Sequence, residues 1–207
     1  MGQTIESFPL FPLGIVLLPG EAVPLHIFEE RYKQMIGECL DEDREFGIIW
    51  LSDDELKEVG CGARISRVLE RFEDGRLNIL VEGTTPFRLE RRIGDLAYPA
   101  GDVELLEDEA DADEAALERT RSGYADLVEE VTDSRPDAEA LAELGAYGMA
   151  ATLDIAPSAK QALLELRSEP ARLDQLDALF AEALKRIRTA TRVAEQASGN
   201  GHLRPGD

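Results

Sequence analysis

The side chains of this chain that could carry bond chemistry are few, and their settings point away from it. Two histidines are present, His26 and His202. His26 sits between Leu25 and Ile27 in an extended stretch, where a hydrogen-bonded structural imidazole is the expectation rather than a general base. His202 falls in a polar tail. Ser158 and Lys160 raise a serine–lysine hydrolase, but on a helix residues i and i+2 point apart. Adjacent carboxylates at Asp53–Asp54 and Glu29–Glu30 would need burial to separate their proton affinities into an acid and a base. Their polar neighbours do not supply it, and in a chain this acidic chance adjacency explains them. The sequence contains no GxxxxGK[ST], GxGxxG, GxSxG or HExxH pattern. Cys39 and Cys61 lie in apolar surroundings without a CxxC or a histidine pair, so they read as buried thiols of a cytoplasmic protein. The expectation is no catalytic residue, no metal site and no cofactor.

Charge narrows the partners. With 22 basic against 43 acidic residues the net charge is −21, a field that repels phosphate backbones, so no nucleic-acid partner is expected. Lys185, Arg186, Arg188 and Arg192 form a short basic stripe near the end of an expected helix, where cations complement the helix dipole. Nor is a membrane partner expected. The longest apolar run near the start is Ile15 to Leu18, far below the roughly 20 residues of a spanning helix, and no basic leader precedes it.

The elements follow from periodicity. Pro9, Pro12, Pro19 and Pro24 forbid a helix in FPLFPLGIVLLPGEAVPLHIF, so short strands are expected at Ser7–Leu10, Val16–Leu18 and Val23–Ile27. From Phe28 the spacing becomes helical: Phe28, Tyr32, Met35, Ile36, Cys39 and Leu40 share one face. Strands are then expected at Phe46–Leu51 and at Val59–Phe72, the latter with Ala63, Ile65, Arg67 and Leu69 on one face. An Asp74-Gly75 turn leads into Leu77, Ile79 and Val81, which alternate until Gly83 breaks the strand before Pro86. Phe87–Ile93 and Tyr98–Leu106 complete a small bent sheet or barrel.

Residues 102–114 carry eight acidic and no basic side chains, and the domain boundary is placed there. Four helices are expected beyond it: to about Thr132, from Asp137 to Leu153, from Pro157 or Ser158 to Arg167, and one capped by Ser168. The expected organisation is therefore a β-barrel subdomain over 1–106, a helical bundle over 107–197 and a disordered tail over 198–207.

The stretch FPLFPLGIVLLPGEAVPLHIFEERYKQMI, then FGIIW, then EVGCGARISRVLERFEDGRLNILVEGTTPFRLE, resembles the amino-terminal substrate-binding domain of Lon proteases. AKQALLELRSEPARLDQLDALFAEAL is similar to the helical half of the same family. The resemblance implies an α+β fold, a PUA-like pseudo-β-barrel with one packed helix followed by a helical bundle. It also implies a free-standing form without the ATPase and peptidase domains of Lon, hence no enzyme.

What the resemblance leaves is recognition of unfolded or degron-bearing polypeptides, with a separate protease or ATPase as the further partner it implies. The residues at the strand-to-helix junction, His26, Phe28, Arg31 and Tyr32, together with Trp50, are the candidate peptide contacts. Phe28 and Tyr32 also sit on the helix stripe assigned to the core, and for both the structural reading comes first. RNA binding by a PUA-like barrel and an uncharacterised hydrolase are the alternatives.

Overall fold

A 17-residue strand with buried Leu77, Ile79, Val81 and Phe87 is the one the sheet is built on. A computed structural model describes residues 2–53, 55–110 and 112–199. Its elements are β1 (Thr4–Leu13), β2 (Ala22–Ile27), α1 (Glu30–Glu42), β3 (Phe46–Ser52), β4 (Glu55–Arg71), β5 (Leu77–Ile93) and β6 (Ala100–Leu105). They are followed by α2 (Glu114–Thr132), α3 (Ala138–Ala142), α4 (Ala146–Ala151), α5 (Pro157–Glu165) and α6 (Glu169–Gly199).

The sheet runs β2-β5-β4-β3-β1-β6, and an added β5–β6 pairing closes it on itself. β5 achieves this by changing neighbours: β2 pairs with Leu77 to Glu82, and β6 takes over from Phe87 to Ile93. β4 lines the other edge of β5 from Leu77 to Arg88. Phe8, Leu10, Ile49, Phe87 and Val103 form a core inside the ring, with Phe8 and Phe87 edge to face at 5.7 Å. α1 buries Tyr32, Met35, Ile36 and Cys39 of the expected stripe, leaves Leu40 half-buried, and ends where Asp43 turns left-handed at φ 49°.

Several expectations are corrected. Val16–Leu18 is buried but is not a strand; the chain reverses there through Pro19-Gly20, with Glu21 N–H donating to Leu18 O at 3.0 Å. Gly83 does not break β5. A Cβ there would lie 2.1 Å from Leu18 O, so the glycine lets the Val16–Leu18 segment cross the strand in contact with its backbone. Phe28 precedes α1 and is 59% exposed, because the helix begins two residues later than the stripe suggests. In β4, register shifts at Ile65/Arg67 and Val68/Glu70 undo the expected common face, so Ala63 is buried while Arg67 and Leu69 face out.

The helix expected over Asp137–Leu153 is two helices, α3 and α4. Gly145 is extended between them (φ −90°, ψ −173°), and Glu169 Oε1 accepts the Ala146 N–H at 2.7 Å. Contacts divide the chain into residues 1–111 with 145–169, and 112–144 with 170–207, where the sequence suggests a single cut near 106. α5 and the segment after it are tied to the sheet and to the chain that follows β6. Gln161 Nε2 donates to Val59 O at 3.1 Å, Lys160 pairs with Glu21, and the Glu109 N–H donates to Arg167 O.

The second unit holds α2, α3 and most of α6. Arg119 to Asp177 (2.9 Å) and Arg188 to Glu130 (3.0 Å) keep the same spacing along both helices, so α2 and α6 run in parallel. Tyr124 and Phe180 meet between them at 6.0 Å. Within the basic stripe Arg186 pairs with Glu182 and Arg188 with Glu130, and α6 continues past it to Gly199. Residues 200–207, most of the expected tail with His202, lie outside the described residues, as does Asp54 of the carboxylate pair.

Gly83→Ala is expected to destabilise the fold by about 3 kcal/mol or more, because a backbone carbonyl must move. Gly94→Ala, where a Cβ would meet nothing within 4 Å, is the matched control and is expected to stay near zero. Urea denaturation of both variants measures the difference.

Candidate functional site

β3 accompanies β4 only as far as Ala63, whereas β4 and β5 continue together to Arg71 and Leu77. With β2 on the far edge of β5, the result is a three-stranded ribbon. Ile27, Ile79 and Val81 are buried beneath it. On the other face the register lines up His26 with Asn78 and Asn78 with Glu70.

That row is hydrogen-bonded throughout. Asn78 Nδ2 donates to Glu70 Oε2 at 3.0 Å, and Asn78 Oδ1 faces His26 Nδ1 at 2.6 Å. A carboxylate only accepts, so Glu70 fixes the orientation of the Asn78 amide. Asn78 therefore presents its oxygen to the imidazole, and Nδ1 is the donor. In the neutral imidazole the second ring nitrogen, Nε2, is then an acceptor.

Aromatic rings cover the end of the row. Phe28 stacks on His26 at 5.8 Å, Phe72 meets the imidazole edge-on at 6.1 Å, and the Arg76 guanidinium lies 4.9 Å from the centre of the Phe72 ring. Beside them a cavity of about 480 Å³ is lined by Pro24, Leu25, His26, Leu69, Glu70 and Asn78. Leu69 is 48% exposed. Exposed Phe28 and Leu69 give this ribbon an apolar patch.

Of the sequence candidates, His26 and Phe28 belong to this surface. Arg31 stands next to it in sequence, tied to Glu29 at 2.8 Å and lying 4.6 Å from the centre of the Tyr32 ring. Tyr32 itself is core: it is buried and packs on Phe11 with ring centres 4.1 Å apart, and burial pushes its hydroxyl pKa up. Trp50 is not brought to the patch. It sits at the opposite end of β4, where Lys57 Nζ lies 5.9 Å from its ring. Leu69, Glu70, Phe72 and Asn78 were missed, since alternation cannot reveal a bulge that turns Leu69 outward. The Asp74-Gly75 hairpin signal did place β4 and β5 side by side.

The residues that could do chemistry are otherwise engaged. Lys160 Nζ contacts Glu21 Oε1 at 2.5 Å with both side chains mostly buried, a structural ion pair. Burial raises the thiol pKa of both Cys39 and Cys61, which disfavours the nucleophilic thiolate. Among the described residues no group of three or more His, Cys, Asp or Glu side chains could hold a metal ion. No described helix is long and apolar enough to cross a membrane.

The profile of the ATP-dependent protease La (LON) substrate-binding domain matches residues 7–182. The chain belongs to the Lon substrate-binding domain family. It is 26% identical to the Lon protease of Paraburkholderia phytofirmans over 94% of this chain, and 24% identical to Lon protease 2 of Myxococcus xanthus over 92%. It spans 26% and 25% of the lengths of those two relatives, about a quarter of each. Among solved structures, the Lon N-terminal domain protein from Xanthomonas campestris matches with a TM-score of 0.67 at 27% identity, covering 84% of this chain and 98% of that one. The N-terminal domain of Mycobacterium avium complex Lon protease shares the fold, with a TM-score of 0.64 at 20% identity over 85% of this chain and 98% of that one. The α+β architecture expected from the sequence is thus that of Lon N-terminal domains.

Tyr32→Ala is expected to cost about 3 to 4 kcal/mol, as for a large core aromatic, and Phe28→Ala less than about 0.5 kcal/mol, as for an exposed side chain. Denaturation midpoints of the two variants decide whether Phe28 is free for another role.

Proposed function

We propose that this chain is a non-catalytic module that binds unfolded or degron-bearing polypeptides on the ribbon surface around His26, Phe28, Leu69 and Phe72. The observation that carries the reading is Phe28. It is a phenylalanine one residue ahead of the N-cap of α1, more than half exposed, and stacked on His26 rather than sunk in the core beside Tyr32. Leu69 extends the apolar surface across the strand pair, and Arg76 borders it with its guanidinium held against the Phe72 ring. An unfolded chain offers both apolar side chains and unsatisfied polar groups, and a surface of this mixture suits it. Membership of a substrate-binding family supports the same reading. The chain would present such polypeptides to a separate protease or ATPase in the cytoplasm, acting as an adaptor.

Fluorescence anisotropy with a labelled, permanently unfolded polypeptide tests this. Saturable binding is expected, weakened about tenfold in a Phe28→Ser, Leu69→Ser double variant whose circular dichroism matches the parent; loss of two exposed apolar contacts accounts for about that much. No saturation up to tens of micromolar with folded protein contradicts the proposal.

A further inference from the structure

We infer that the cavity beside His26 selects an arginine side chain of the bound polypeptide, an inference that rests on the binding surface proposed above. Three features of the cavity carry it. The first is hydrogen-bond polarity. With Nδ1 committed to Asn78, the neutral His26 ring keeps Nε2 as an acceptor, and Glu70 has spent Oε2 on Asn78 while Oε1 has no partner among the described residues. The row therefore offers acceptors that call for a donor-rich group.

The second is charge. Two carboxylates stand on this face of the ribbon, and the register places Glu82 opposite Arg64, with which it pairs at 3.2 Å. Glu70 makes no ion pair among the described residues, although Arg67 lies on the same strand. A carboxylate without a cation is left facing the cavity, within a chain of net charge −21. Basic segments are attracted to such a chain, and Glu70 is where the attraction can become a contact.

The third is shape. Pro24, Leu25 and Leu69 give the wall an apolar stretch that an arginine's methylene stem covers, and the His26–Phe28 stack offers a flat face for the guanidinium. A planar fork of donors can satisfy two separated acceptors at once, which a lysine's single ammonium does less well.

The test uses two fluorescein-labelled unfolded peptides of identical sequence, aromatic residues flanking one central position, which is arginine in one and citrulline in the other. Citrulline keeps the length and plane and removes the charge. On the parent protein the arginine peptide is expected to bind about tenfold tighter, the scale of one charge-assisted contact. Glu70→Gln, which can still accept from Asn78, is expected to bring the ratio to within about twofold, while Glu82→Gln leaves it near the parent value. The Phe28→Ser, Leu69→Ser variant weakens both peptides, since the apolar contacts of the stem are common to the two. Equal binding of the two peptides by the parent overturns the arginine assignment and leaves the surface itself standing. A preference that persists in Glu70→Gln also overturns it, since the overall negative field would then suffice. Failure of both peptides to bind overturns the surface and the assignment together.

Discussion

The carbonyl oxygen of Leu18 occupies the place where a side chain at position 83 would stand, and much of the fold depends on that crossing. Glycine at 83 keeps β5 unbroken while the Val16–Leu18 segment passes over it. Gly20 N–H donates to Gly83 O and Gly83 N–H to Glu21 O, so the crossing is hydrogen-bonded on both sides. The crossing marks the change of partner along β5, from β2 before it to β6 after it. One long strand can thus serve a closed ring at one end and an open ribbon at the other. Glu21, at the same corner, accepts from the Leu18 N–H and pairs with Lys160, which draws α5 onto the sheet.

The open end carries the proposed binding surface. A closed ring has no free edge and buries its inward face, so it offers a partner little beyond solvated side chains. The ribbon has one buried face and one solvent face. Its turn is held by α1, whose Lys33 donates from Nζ to Asp74 O at 3.0 Å and to Glu30. The outer face can then carry Phe28 and Leu69 in the open at modest cost, because the stability of the unit rests on Ile27, Ile79, Val81 and the α1 stripe beneath.

Sequence patterns disclosed what depends on local period and hid what depends on crossings. The α1 stripe, the β4–β5 hairpin at Asp74-Gly75 and the starts of α5 and α6 were legible, since each follows from neighbours a few residues apart. The role of Gly83 was not. A glycine before a proline reads as a break, and only the long-range passage of Leu18 explains why the strand survives it. The break at Gly145 was not legible either, because nothing local announces that Glu169 caps a new helix there. Of the site, His26 and Phe28 were named from the strand-to-helix junction. Glu70 and Asn78 were not, because their roles come from register across three strands, and Leu69 faces out only because β4 is bulged.

The most direct measurement is amide chemical-shift mapping of the isotopically labelled chain at saturation with an unfolded polypeptide. Binding on the ribbon predicts the largest shifts at residues 25–28, 68–72 and 76–80, with α2 and α6 unmoved. Shifts confined to α2 and α6, or none at saturating polypeptide, would contradict it.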